Sequence, residues 1–155
     1  MKKFFIVCLI AVSLTSCSKN EESSGTTISD QTLTGTLQGA SFTFVGGKAF
    51  ATTTFDNEPA ISLNLTNVAA NCDDFVSDFD LIISAVVPNN VGVFTDINIV
   101  DRIGNDVPFN NVGETVEITA ISETEISGKL ILERATSAIA EGSSFEGSFT
   151  IPFCQ

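Results

Sequence analysis

The chain has 155 residues, is 43% apolar and 17% charged, and carries 7 basic against 19 acidic residues, a formal net charge of -12. It contains no His, which removes the Ser-His-Asp triad, the Cys-His pair and the imidazole metal site as sources of chemistry. The acidic balance speaks against nucleic acid as a partner, because phosphate binding needs a basic surface that releases counterions.

Met1-Lys2-Lys3 is a short positive stretch, and Phe4 to Val12 is an unbroken apolar run of nine residues. That length suits the core of a signal peptide and falls short of the about 20 apolar residues a spanning helix requires. Leu14-Thr15-Ser16-Cys17 follows and resembles the lipobox of bacterial lipoproteins: an aliphatic residue, two small residues and an obligatory Cys. The resemblance implies cleavage before Cys17, a signal peptide over residues 1–16, and a thioether-linked lipid on Cys17. Small residues suit a narrow peptidase cleft, and a thiol is required for the thioether. The alternative is an ordinary signal peptide that happens to contain a cysteine and is cut elsewhere. Two or three acyl chains, at about 0.8 kcal/mol per buried methylene, would anchor the protein to the membrane permanently.

Residues 17–30 read as the lipidated Cys and a polar tether. Ser18 to Thr27 has no apolar side chain, too little to offset ordering entropy. The 14 residues from Ser18 to Gln31 give an r.m.s. reach of about 20 Å. Ser18 is not Asp, which by analogy with enterobacterial sorting argues against retention at the inner membrane. Lys19-Asn20-Glu21-Glu22 resembles the Lys-plus-acidic signals of surface-exposed Bacteroidota lipoproteins. The expected location is therefore the outer membrane, with surface exposure favoured over a periplasm-facing anchor.

Residues 31–155 are the size of one domain. Without Lys2 and Lys3 the mature chain has 5 basic and 19 acidic residues, a charge of -14, which favours solubility and repels anionic surfaces. Its hydrophobic pattern has period two. Leu33 and Leu37 alternate with polar residues, Phe42 and Phe44 do so before a break at Gly46-Gly47, and Ile61, Leu63 and Leu65 follow. Phe79, Leu81, Ile83, Ala85 and Val87 share one face of a strand whose other face carries Ile82 and Val86, the pattern of a central strand. Pro88-Asn89-Asn90 ends it, and Gly92-Val93-Phe94-Thr95 restarts an extended segment through Ile97 and Ile99. Val116, Ile118 and Ala120 alternate, as do Ile126, Gly128, Leu130 and Leu132, then Phe145, Gly147, Phe149, Ile151 and Phe153. Val68 to Val76 and Thr136 to Glu141 read as loops with at most one helical turn. The fold class is all-β: a single antiparallel β-sandwich or barrel-like domain of about eight to nine strands. Eleven of the 13 Phe lie in the mature chain, and without Trp or Tyr they supply its aromatic core.

Cys8 leaves with the signal peptide and Cys17 takes the lipid, so Cys72 and Cys154 remain as a pair. In an oxidising compartment an even pair reads as a disulfide; two buried thiols or a redox pair are the alternatives. The densest polar cluster surrounds Cys72 and holds Asp73, Asp74, Asp78 and Asp80; a second stretch has Asp96, Asp101, Asn105 and Asp106. Calcium favours such oxygen-rich loops, but neither has EF-hand spacing, and a solvated acidic loop is the plainer reading. No metal is therefore assigned. Paired carboxylates can also cleave glycosides, yet a domain this small leaves little room for a long sugar cleft. Gly46-Gly47 lacks a phosphate-loop context and reads as a bulge or hairpin turn. Lys48, Lys129, Arg102 and Arg134 are too scattered for an anion patch, and the sequon Asn64-Leu65-Thr66 falls within a strand.

Thr34-Gly35-Thr36-Leu37-Gln38-Gly39, Ser41-Phe42-Thr43, Gly92-Val93-Phe94, Gly113-Glu114-Thr115-Val116-Glu117-Ile118-Thr119, Ile126-Ser127-Gly128-Lys129-Leu130 and Phe145-Glu146-Gly147-Ser148-Phe149 together resemble small Bacteroidota lipoproteins of uncharacterised β-domain families. That resemblance covers most of residues 31–155 and brings no catalytic or binding residues. The sequence thus predicts a lipid-anchored outer-membrane protein whose β-domain is a binding or structural module for an unknown protein or glycan, without catalysis and without a cofactor beyond the lipid on Cys17. The alternatives are a small-barrel carrier of an apolar ligand, which needs an interior cavity of about 300 Å³ or more, and a calcium-dependent binding module.

Overall fold

The structure, a computed structural model, describes residues 27–133 and 142–154. Cys17 and Thr136 to Glu141 lie outside them. Alternating apolar residues build nine strands among the described residues: β1 (Thr34–Leu37), β2 (Ala40–Thr43), β3 (Gly46–Thr53), β4 (Pro59–Thr66), β5 (Leu81–Pro88), β6 (Gly92–Ile103), β7 (Phe109–Ile121), β8 (Glu125–Leu132) and β9 (Ser144–Cys154). A 3-10 turn at Val76–Asp78 is the helical turn beside Val68 to Val76.

The all-β expectation holds, and of the two architectures it left open the chain adopts the barrel. β3 to β9 run up and down, each antiparallel to the next along the hydrogen-bonded order, and β9 returns to β3. With seven strands the first and last point the same way, so the closing pair has to be parallel; it joins Ala49 to Phe153 and Phe50 to Cys154. Only the C-terminal part of β9 makes this closure. Along its N-terminal part the same edge is taken by β1, with Thr34 opposite Glu146 and Thr36 opposite Ser144. The β1–β2 hairpin is thus a wedge between β9 and β3 at one end of the barrel. Its two-residue turn, Gln38-Gly39, has positive φ at both positions, 47° and 83°, the geometry that matches the twist of the flanking strands. This is the plug end, where β4, β6 and β8 finish; the β3–β4, β5–β6 and β7–β8 turns lie at the far end.

Inward-facing positions form one continuous core. The wedge contributes Leu33, Leu37 and Phe42, β4 contributes Ile61, Leu63 and Leu65, and β9 contributes Phe145, Phe149 and Ile151, all essentially without solvent contact. Phe44 packs edge-on to Phe149 with ring centroids 6.5 Å apart, a favoured aromatic geometry.

Four local expectations need correction. Gly46 and Gly47 do not break the chain but open β3, opposite Thr66 and Leu65; a Cβ on Gly47 would collide with the Asn64 carbonyl and press on Ile151, so the glycine serves close packing. Ala120 does not continue the inward face of β7. A register shift after Ile118 turns Ala120 to solvent, and Ile121 packs against the core instead, as expected of a bulge that inserts one residue. Phe79, expected on the shared face, lies just before β5 and is buried outside the interior cluster, while Ile82 is covered from outside and Val86 is 46% exposed, so the second apolar face reflects a local cover; β5 itself is an inner strand, paired to β4 and β6. Finally, Ile28, expected in the tether, is buried. The packed domain therefore includes residues upstream of Gln31, where Ser29 and Asp30 also bond to β9 and β8.

The segment before β1 crosses the outside of β8 and β9. Ser29 N–H donates to Glu146 Oε1 at 2.6 Å, Asp30 pairs with Lys129 at 2.6 Å, and Ser148 Oγ donates to the carbonyls of Asp30 and Gln31. The crossing requires glycine at 147: its φ is 141°, and a Cβ there would lie 2.6 Å from the Gln31 carbonyl oxygen and from Leu33 Cα.

Candidate functional site

Polar groups gather at three places. The first is inside the plug end. Asp101 on β6 is completely buried; its Oδ1 accepts from Gln38 Nε2 at 2.7 Å and its Oδ2 from Asn111 Nδ2 at 3.0 Å. Asn111 Nδ2 also donates to the Ile99 carbonyl at 3.0 Å, and Gln38 N–H donates to Ser143 Oγ at 3.0 Å. The hairpin turn is thereby tied to β6, β7 and the entry to β9. Among the described residues no buried side-chain polar atom lacks a partner, and this network holds the plug. Sequence reasoning placed Asp101 with Asp96, Asn105 and Asp106, whereas Asp96 is exposed at a β6 bulge with φ 59° and Asp106 is exposed in the β6–β7 turn. The alternation of Ile99, Asp101 and Ile103 was the available signal that Asp101 points inward.

The second place is an open cleft of about 480 Å³ beside the plug, lined by Ser29, Gln31, Thr34, Glu133, Ser144 and Glu146 with apolar floor residues Ile131 and Phe145. A smaller hollow of about 280 Å³ lies across Ile131 and Glu133 and is bordered by Glu114. Burial pushes the Glu114 carboxyl above its ordinary value of 4.5; the neighbouring charge of Glu133 adds to this, while a hydrogen bond from the Glu133 backbone works against it. On the same wall the Lys129 ammonium is raised above 10.5, first by its hydrogen bond to Asp30, then by the charges of Glu117 and Asp30, against partial desolvation. The cleft is rich in acceptors and suits a polar ligand that brings donors. It escaped the sequence reading because its residues come from three separate stretches of chain.

The third place is the loop of residues 67–80. Cys72 and Cys154 form a disulfide, with Cα atoms 5.5 Å apart. The expected pairing is correct and it closes 82 residues of sequence separation. Lys48 Nζ, on the outer face of β3, donates to the carbonyls of Cys72 (3.3 Å) and Asp74. The loop therefore lies over the outer wall, where Asn64 and Thr66 of the sequon are buried and Asn64 Oδ1 accepts from Ser84 Oγ at 3.0 Å. The four calcium candidates do not converge. Asp74 Oδ2 accepts from Asn71 N–H and Asp78 Oδ1 from Ser77 Oγ, while Asp73, Asp78 and Asp80 are exposed. Among the described residues no three His, Cys, Asp or Glu side chains are grouped to hold a metal ion.

Apolar side chains are exposed at both ends. Val107, Phe109 and Val112 project from the β6–β7 hairpin and Phe75 from the 67–80 loop at the plug end; Phe55 and Val91 project from turns at the far end. No helix among the described residues is long and apolar enough to cross a membrane. Comparison with protein-family models, with curated proteins and with solved structures finds no match.

Proposed function

We propose that the chain is a lipid-anchored envelope protein of the outer membrane, acylated at Cys17, whose barrel is a binding or structural module for a protein or glycan partner. The observation that carries this reading is the ordered series of Lys2-Lys3, the apolar run Phe4 to Val12 and Leu14-Thr15-Ser16-Cys17. The Cys72–Cys154 disulfide supports it in two ways: disulfides persist in oxidising compartments, and the pairing accounts for both cysteines that follow Cys17 in the sequence. A module is favoured over a carrier because the barrel interior is occupied by its own Leu, Ile and Phe side chains. Surface exposure is the favoured topology, on Lys19-Asn20-Glu21-Glu22.

The test is Cys17→Ala. Intact mass and membrane fractionation should show wild-type chain beginning at Cys17 with its lipid and sedimenting with membranes, and the variant uncleaved and without lipid. A variant equally cleaved and membrane-bound would overturn the anchor. Protease treatment of intact cells, with a periplasmic leakage control, then decides the face: release of the domain means exposure to the medium, and protection until the outer membrane is opened means the periplasmic side.

A further inference from the structure

We infer that the domain stands on the bilayer with its plug end down, so that the tip of the β6–β7 hairpin, Val107 with Phe109 and Val112, enters the headgroup region of the membrane that holds Cys17. This rests on the proposed lipid anchor and adds an orientation and a lipid-contacting surface to it.

Three observations carry it. The first is where the described chain starts. Ser29 shares the cleft rim with Glu133 and Ser144, where β8 ends and β9 begins, and Thr27 is two residues away, so the anchored segment departs from the plug end. The second is the length of chain available. From Cys17 to Thr27 is ten residues, at most about 35 Å when fully extended and roughly 16–19 Å r.m.s. as the polar tether the sequence predicts. Strand β8, of eight residues, gives the barrel wall a height of about 20 Å once tilted. Standing on its far end would lift Thr27 beyond the r.m.s. span, whereas standing on the plug end brings the tether's two ends together.

The third is the chemistry of the hairpin. Residues 109–114 of β7 lie past its last pair with β8, Thr115 with Ile131, and are paired to β6 alone, so the hairpin has a free edge here and its turn, residues 104–108, stands at the end of the wall. Val107 is 79% exposed and Val112 76%. In a domain this acidic, Asp106 is the one charged residue between Gly104 and Val112. Phe75 is exposed beside it, since Val76 and Ser77 share a hollow with Pro108 and Arg102. Exposed apolar residues grouped in this way mark interaction surfaces. Asp80, whose carbonyl accepts from Gly104 N–H, and Glu133, which shares a hollow with Glu114, stand at the base of the hairpin, which limits entry to the headgroup and upper acyl level.

The chain has no Trp, so one introduced indole reports its own surroundings. Acylated mature protein carrying Val107→Trp, Val112→Trp or Phe55→Trp is reconstituted into phosphatidylcholine vesicles and floated, and its emission is read with and without lipid-borne nitroxide quenchers. The expected result is blue-shifted, quenched emission at 107 and 112, and water-like, unquenched emission at 55, at the far end. Protein that floats while all three indoles stay water-like overturns the orientation and leaves the anchor standing, redirecting the hairpin to a protein partner. Quenching at 55 alone overturns it by inverting the domain. Protein that does not float overturns the anchor and the orientation together.

Discussion

The β1–β2 hairpin and the loop of residues 67–80 are both additions to the seven-stranded barrel, yet one lies within its wall and the other against it. The hairpin donates Leu37 and Phe42 to the interior and ties its turn to the buried Asp101. The loop covers the outer faces of Asn64 and Thr66 and is fastened by the Cys72–Cys154 bond and by Lys48. A segment that shares the core should be as stable as the fold itself. The loop laid over the outer wall has Phe79 as its one buried apolar side chain, and its order depends chiefly on the covalent link.

The largest effect expected from this difference is that of removing the link. Closing a loop of this size restricts the unfolded chain, and the chain-entropy model gives about 4 to 5 kcal/mol. The double variant Cys72→Ser/Cys154→Ser should lose stability on that scale in urea unfolding, and native-state proteolysis should then cut first within residues 67–80. If cleavage began in the hairpin instead, the contrast between the two segments would be reversed.

Next comes Phe42→Ala, which empties a fully buried position of the wedge. Truncating a buried phenylalanine costs about 3–5 kcal/mol. The loss should appear in global unfolding, with amide exchange in β1 and β2 accelerated together with that of the barrel strands. Exchange confined to the hairpin would mean that it opens as a separate unit, and the plug would be a lid rather than part of the wall.

The polar latch should matter less than the apolar wedge. Asp101→Ala strands the donors of Gln38 and Asn111 in a buried place, at about 1–3 kcal/mol for an unsatisfied group. A double-mutant cycle with Gln38→Ala isolates the link between hairpin and β6, with a coupling of about 0.5–3 kcal/mol expected for residues in one network. Zero coupling would assign the hold on the turn to Leu37 and Phe42 alone.

These residues also show what the sequence made legible. Strand positions were readable because a half-buried strand has period two, and the inward faces of β4, β8 and β9 follow it without exception. Cys72 and Cys154 were readable by elimination of the other two cysteines. Closure of the barrel was not, because the parallel contact of β9 with β3 spans only two residue pairs and leaves no mark in the alternation of either strand. The bulge after Ile118 preserves composition while reversing phase, so Ala120 and Ile121 exchange roles. Asp101 looked like one more acid in an acidic chain; its burial depends on Gln38, a residue 63 positions away. The polar cleft has the same origin, since Ser29, Glu133 and Glu146 meet only after the segment before β1 crosses β8 and β9.

The smallest expected effect is a pH signature on that side of the molecule. Burial, reinforced by Glu133, raises the Glu114 carboxyl above 4.5, so between its unfolded and folded values the native state holds more protons than the unfolded chain. Stability conferred by the protonated form is then lost as pH rises through that window, and the penalty persists at neutral pH. Glu114→Gln removes the titration. Its unfolding free energy should be flatter than wild type just above pH 4.5 and slightly higher at pH 7, read by urea denaturation across that range. Lys129 provides a second check on the same wall, with a slope of the same sign in the alkaline range. Its folded value lies above 10.5 through Asp30, so its contribution is present below that pH and disappears as pH rises through the raised value. A wild-type profile with neither slope would show that the wall carrying the segment before β1 is as indifferent to proton binding as the disulfide that fastens the other side.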